Sequence, residues 1–527
     1  MSSGGKHAGG AETREAAAYD VIILGGALSG GSAAYLLARG SPGKRILVIE
    51  RSPSFGRRVG EATVEISTYF LTRVLGLTEH LNHAHLNKQG LRFWFHCSRE
   101  DEADRCSEVG PGYNVRFPSY QVDRAKLDEE VLRRAREAGV TVLRPAEVKA
   151  VNWTPGGQST VTYTRDGETH TAAARWVIDA SGAARLMARA KKWVRPNTDH
   201  PIGSIWSRWR GVGCLDGLPF REEHPRIASR GVGTRFTATN HLIGNGWWSW
   251  WIPLHGGDMS VGIVWDDRLT APPPGESPAD RLQAHLRQHP LGRTLLEKAS
   301  PLPDDIHYRK NLAWHSERIV GDGLFLVGDA AGFIDPFYSP GMDWISFSVT
   351  SAVHLIRGHW DCAADTAARA ECFNADFTES YRRWFEAIYK DKYLYMGDYE
   401  LMRLAFRLDL GLYYLGVVSQ PYKRGEPALT QPPFTGPRAA LPFRLIRFYN
   451  RRLARIARSR AKRGTWGRRN LDGVFAFNSY RLDWTLPVRL LFAAGSYLKL
   501  ELTEGWRTWL SPAAKVPQAV AQPSSDT

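Results

Sequence analysis

Short apolar runs alternate with amphipathic ones through the first third of the chain. YDVIILGG, residues 19–26, is a continuous apolar run ending in glycines, the pattern of a buried strand. SGGSAAYLLARG, 29–40, has helical spacing and stops at Gly40. KRILVIERS, 44–52, is a second apolar strand with Glu50 at its end. Strand, glycine-rich turn, helix and strand make a βαβ unit of a parallel sheet. QVDRAKLDEEVLRRAREAGV, 121–140, reads as an amphipathic helix with a glycine stop. From 141 to 182 polar and apolar positions alternate, with hairpin turns at PGG and DG. This predicts a small three-stranded excursion that returns to the main sheet through ARWVIDASG.

Residues from about 203 to 265 are strand-like and aromatic, and predict a second, antiparallel sheet. Within them GWWSWWIPLHGG, 246–257, places four of the 19 tryptophans in five positions. GDGLFLVGDAAGFIDP, 321–336, is another buried strand running into a turn and helix. From about 345 the pattern is mostly helical, with a Pro-rich, irregular stretch at 421–442. The expected architecture is α/β plus β. A Rossmann-type three-layer domain carries an inserted, mainly antiparallel substrate sheet and a helical C-terminal region. The expected divisions are a tail at 1–18, a nucleotide-binding and substrate-sheet core at 19–345, a helical lid at 346–511 and a tail at 512–527.

The chain has 527 residues, 43% hydrophobic and 23% charged, enough for a large globular core. No apolar run is long enough to span a bilayer, and the first 20 residues lack a secretory signal's apolar core. Five cysteines at 97, 106, 214, 362 and 372 form no CxxC pair. They predict no metal or iron–sulfur site and fit a reducing cytoplasm. The net charge of +15 is partly local: residues 451–469 hold nine Lys or Arg and no acid. A solvated basic helix end is the plain reading, and a docking surface for an acidic partner is the alternative. No recognition module accompanies it, so nucleic acid is not expected.

The turn GGALSG, 25–30, approximates the GxGxxG fingerprint with Ala27 at the middle glycine. Gly25 and Gly26 allow the tight turn, and Gly30 allows close helix–strand packing. Glu50, 20 residues past Gly30, is placed to accept ribose hydroxyls. Asp329 follows an apolar strand, where it can bond a ribityl hydroxyl or simply cap a helix. Together they predict a dinucleotide site.

The set GGxxSG, Glu50, WVIDASG and GDAAGFIDP resembles FAD-dependent aromatic monooxygenases. Trp248-Ser249-Trp250-Trp251-Ile252-Pro253 matches WxWxIP, the marker of the flavin-dependent halogenases, and VGEAT at 59–63 is similar to another of their segments. The resemblance covers roughly residues 19–350. It implies FAD as cofactor, and Trp248 and Trp250 walling the passage between flavin and substrate. Trp247 and Trp251 have a plain sheet-core reading. LNKQGLRFWF, 86–95, is similar to the family's lysine segment and implies Lys88 as the catalytic lysine. Hypohalous acid is neutral and indiscriminate, so a buried ammonium is needed to polarise and aim it. Burial should lower the pKa of such a lysine. A surface lysine on a strand edge is the other reading.

Tryptophan-directed members carry a glutamate where this chain has Tyr338, which points to a phenol- or pyrrole-type substrate. The family holds halide with backbone N–H groups of this loop. Pro340 has none, which leaves Gly341 as the clearest halide donor and as a flavin contact. Arg124 could face isoalloxazine or phosphate, or pair locally, while Asp179 and Gly182 read as support around the cofactor. No second nucleotide-binding unit is visible, so the resemblance implies a separate flavin reductase supplying FADH2. The expected reaction is chlorination or bromination of an electron-rich aromatic small molecule in secondary metabolism, free or on an acyl or peptidyl carrier protein. The alternative is a halide-independent FAD-dependent monooxygenase or oxidase.

Overall fold

The computed structural model describes residues 17–96, 102–360 and 366–509. Most of the 1–18 tail, the 512–527 tail, Cys97 and Cys362 lie outside the described residues.

The first strand, Ala17–Leu24, sits inside the main sheet and pairs in parallel with Ile46–Ile49 and Glu168–Asp179. Ile22 stands beside Leu47 on one side and Val177 on the other. Both faces of this centre are covered, which is why VIIL needs no polar alternation. Thr141–Leu143 closes one edge, and Leu324–Leu326 joins the other in parallel. The excursion forms as Glu147–Asn152, Ser159–Arg165 and the long return strand Glu168–Asp179. Its Asp166-Gly167 turn has φ of 52° and 83°, the two-residue geometry that suits Asp-Gly.

The second sheet runs Ser300–Pro301, Ile202–Arg210, Met259–Asp266, Trp247–Pro253, Thr239–Ile243, Leu91–Phe95, Ser107–Pro111, Val474–Phe477. The tryptophan run is its central strand. Side chains alternate across a strand, so Trp248, Trp250 and Ile252 join the main core. Trp251 belongs to a separate core with Trp94, Trp209 and Trp265, and half-buried Trp247 packs against it. Four tryptophans fit in five positions because both faces of this strand are covered.

Two features differ from the sequence reading. Val474–Phe477, within the last third that reads as mostly helical, adds a parallel edge strand to this sheet. The basic block is also only partly a solvated face, because Arg452 and Arg460 are buried. Arg452 pairs with Glu501, Arg460 with Asp398 and Glu504, and Arg463 with Glu504. These arginines fasten the helix Ala440–Lys462 to its neighbours.

Candidate active site

The glycine turn is built from backbone. Gly25 has φ +101°, and a Cβ there would lie 2.7 Å from the Ala180 carbonyl oxygen. A Cβ on Gly30 would lie 1.9 Å from the Gly25 oxygen, so only glycine lets the helix Leu28–Gly40 approach this closely. Ala27 has φ −67°, an ordinary value that alanine adopts without strain, and no side chain caps the helix it precedes. That helix start keeps open N–H groups of the kind that receive phosphate. Glu50 is buried and accepts hydrogen bonds from Gly26 N–H and Ser52 N–H, both at 2.8 Å.

Asp329 sits in the turn Gly328–Ala330, which packs on Ser29 of the same helix. Its carboxylate makes no hydrogen bond among the described residues. Burial raises its pKa, against the field of nearby Arg124. Arg124 itself forms a two-pronged pair with Asp128, at 3.0 and 3.2 Å, and donates to the Val59 carbonyl. Arg124 therefore has the local partner and also stands near Asp329. Asp179 accepts from Ser181 and Met187 N–H groups and braces the neighbouring loop. An uncapped helix start, a glycine cradle without room for a Cβ and an unpartnered carboxylate fit the phosphates and hydroxyls of FAD.

Beyond this lies a cavity lined mainly by aromatic and aliphatic side chains. Lys88 follows directly on the short strand Leu86–Asn87 and lines it, almost fully buried. Its ammonium donates to the Thr63 carbonyl at 2.8 Å, so the VGEAT segment supplies its holder. Burial lowers its pKa to about 8, against the opposing fields of Glu65 and Asp343.

Those two carboxylates also line the cavity, and sequence reasoning missed both. Asp343 accepts from Ser67 N–H at 3.0 Å and from Tyr413 O–H at 2.9 Å. Burial raises its pKa to about 7, despite those hydrogen bonds. Glu65 accepts from Tyr414 O–H at 2.5 Å. Adjacent tyrosines reach one cavity where the helix Tyr399–Tyr413 passes into the π-helical turn Tyr414–Val418. Such widened turns often occur at functional sites. No spacing in the sequence announces them.

The Tyr338 hydroxyl lies 3.2 Å from Asp409, which also takes the Lys392 ammonium at 2.5 Å. Tyr338 and Ser339 have φ of 67° and 57°, consecutive left-handed residues just before the helix Pro340–Gly358. Each costs roughly 1–2 kcal/mol in a non-glycine residue. Pro340 is the first residue of that helix, where a missing N–H breaks no intrahelical bond. Gly341 follows in the open first turn, with no neighbour within 4 Å of where its Cβ would stand. Pro340 lines the cavity and Gly341 does not.

Trp248 and Trp250 do not line this cavity either. Trp248 packs edge-on to Phe337 and donates to the Tyr393 hydroxyl at 2.9 Å, which in turn donates to Asp335. Trp250 donates to Ser260. The Trp248 indole stands behind the loop 335–341 rather than at its cavity face.

A nucleotide cradle on a parallel sheet, beside an aromatic-lined cavity with a buried lysine, is the arrangement of an FAD-dependent oxidoreductase. The family described as FAD dependent oxidoreductase matches residues 20–204. Within that superfamily its similarities are to flavin-dependent halogenases. It is 26% identical to the flavin-dependent halogenase armH1 of Armillaria mellea over 68% of this chain and 66% of that protein. It is 25% identical to a tryptophan 2-halogenase of Chondromyces crocatus over 68% and 65%. The matches thus span about two thirds of the length of these relatives. The fold is similar to that of halogenase PltM, with a TM-score of 0.70 at 17% identity over 91% of this chain and 96% of that one. The flavin-dependent brominase Bmp2 follows at TM-score 0.61 and 20% identity, over 82% and 99%.

Proposed function

We propose that this protein halogenates an electron-rich phenolic small molecule, using chloride or bromide and FADH2 from a separate reductase. The observation that carries this reading is Lys88. It is a buried ammonium with one hydrogen bond, in an aromatic cavity beside the nucleotide cradle. Bound FAD supplies the oxidising chemistry. Lys88 hydrogen-bonds and aims the hypohalous acid. Asp343 and Glu65, on the same cavity, accept the substrate's hydroxyl proton, which enriches the ring, and take up the proton the ring releases on substitution. The aromatic walls exclude water and hold a flat ring. PltM has been crystallised with phloroglucinol, a trihydroxybenzene, which supports a phenol here.

Gly341 is the halide donor in this reading. Trp248 is a positioning residue that steadies the 335–341 loop through Phe337, Tyr393 and Asp335. Pro340 near the end of that loop, with no N–H to offer a halide, favours the second reading, halide-independent oxygenation. The test is a mass-resolved product assay with FAD, a flavin reductase and NADH. Phenols, indoles and pyrroles, free and carrier-tethered, are each run with bromide, chloride and no halide. A halide isotope pattern that disappears in Lys88→Ala is the expected result. One added oxygen regardless of halide would overturn it.

A further inference from the structure

The outermost helices carry a surface that halogenation does not use. Thr485–Thr503 presents Val488, Leu491, Phe492, Leu498 and Leu502 outward, with Leu491 72% and Phe492 70% exposed. Steps of three, four and seven residues among them place all five on one side of the helix. Trp484 stands exposed before the helix, and Trp506 and Trp509 after it. Beside it runs Ala440–Lys462, joined through Tyr449 to Tyr497 and Arg452 to Glu501. This helix exposes Leu441, Leu445 and Phe448. So many large apolar side chains in one patch exceed the scattered exposure of an ordinary surface.

Charge on these two helices is sorted. Ala440–Lys462 contains no acid. The two acids of the other helix and its end, Glu501 and Glu504, are buried and paired with Arg452 and Arg460. The cations that remain outward include Arg444, Lys499 and Arg507. Arg444 and Lys499 have no ion pair among the described residues. Both carboxylates, Glu501 and Glu504, are turned in, and the outer face offers apolar and positive groups alongside the neutral hydroxyls of Ser496 and Thr503. An apolar stripe edged by cations, with tryptophans at both ends, is the pattern of a helix lying in a lipid interface. No described helix is long and apolar enough to cross a membrane, so the contact is peripheral.

We propose that this face docks the protein on an anionic lipid surface. Arg489 of the same helix donates to the Asn478 and Ser479 carbonyls, and Ser479 and Tyr480 wall the substrate cavity. Docking therefore sets the cavity close to the lipid, from which an apolar aromatic would be taken up. The proposal is independent of the halogenation reading, because its readout is binding.

The test is flotation of the full-length protein with vesicles of phosphatidylcholine alone, and with vesicles in which about a third of the lipid is phosphatidylserine. The protein is expected to float with the anionic vesicles and much less with the neutral ones. The Leu491→Glu/Phe492→Glu double variant should bind at least about tenfold more weakly. Both positions are solvent-facing, so the variant should keep its Tm and its FAD. Lys499→Ala with Arg444→Ala should weaken binding and reduce its salt sensitivity. Absence of flotation with anionic vesicles would overturn the proposal, as would equal binding by the double variant. A wild-type dimer that the double variant converts to monomer, without vesicle binding, would instead make this face an interface between two copies.

Discussion

At the glycine turn the protein works through its backbone, and at the cavity it works through side chains. Gly25, Gly26 and Gly30 contribute a path and N–H groups within a few residues of one another, and Glu50 clamps that path from the next strand. The cavity instead assembles Lys88, Glu65, Asp343 and Tyr413 from four separate stretches of chain. A backbone site has no room for an added atom. A side-chain site tolerates a change of shape but not a change of charge. Damage to the first should therefore remove cofactor and stability together, and damage to the second should spare both and remove chemistry.

Gly30→Ala gives the largest expected effect. Its Cβ would stand 1.9 Å from the Gly25 oxygen, and both partners are backbone. The overlap should cost at least about 2 kcal/mol of stability and abolish FAD retention, read by melting and by flavin absorbance of the purified protein. Retention of FAD at an unchanged Tm would break the contrast. Lys88→Ala tests the other side. FAD binding and Tm should hold while halogenated product falls on the order of 10²–10⁴-fold, the usual reach of a placed proton donor. Parallel loss of FAD would show that the lysine is structural.

What was legible in the sequence follows the same division. The βαβ unit, the three-stranded excursion and the aromatic sheet could be read because strand periodicity and glycine turns are local signals. Asp166-Gly167 and the buried VIIL run are examples. Lys88 was reachable only through resemblance, since nothing near LNKQG reveals that Thr63, 25 residues earlier, will hold its ammonium. Asp343 and Glu65 left no trace, because an acid on an apolar helix reads as a surface residue until Tyr413 and Ser67 are seen on it. The edge strand Val474–Phe477 was hidden for a similar reason: its partner Ser107–Pro111 lies far away in sequence. Arg452 and Arg460 read as solvated because their acids, Asp398, Glu501 and Glu504, lie outside the basic block.

Asp343 sharpens the contrast by giving the cavity a pH signature. Its carboxyl, raised to about 7, is protonated below that value and gains its accepting charge above it. Lys88, lowered to about 8, loses its proton as pH rises through that value. A reaction that needs ionised Asp343 and protonated Lys88 should give a kcat/KM profile that rises through about 7 and falls past about 8. Asp343→Asn should flatten the acid limb and lower kcat/KM about ten- to a hundredfold, the worth of one hydrogen bond to a charged group. An acid limb that persists in this variant would show that Asp343 is not the group that sets it.

Trp248→Phe should have the smallest effect, and it tests which side of the contrast the marker motif belongs to. The indole does not line the cavity, so an apolar ring of similar thickness should leave the substrate KM unchanged. What disappears is the N–H donated to Tyr393. The Tyr393 hydroxyl still donates to Asp335, so the loss is one acceptor left unfilled, about 1 kcal/mol in a buried site. Because Asp335 also receives the Phe337 N–H, that loosening reaches the loop leading to Gly341. The halide KM should rise while the substrate KM does not. If the substrate KM moved and the halide KM stayed fixed, Trp248 would be a cavity wall and not a support behind it.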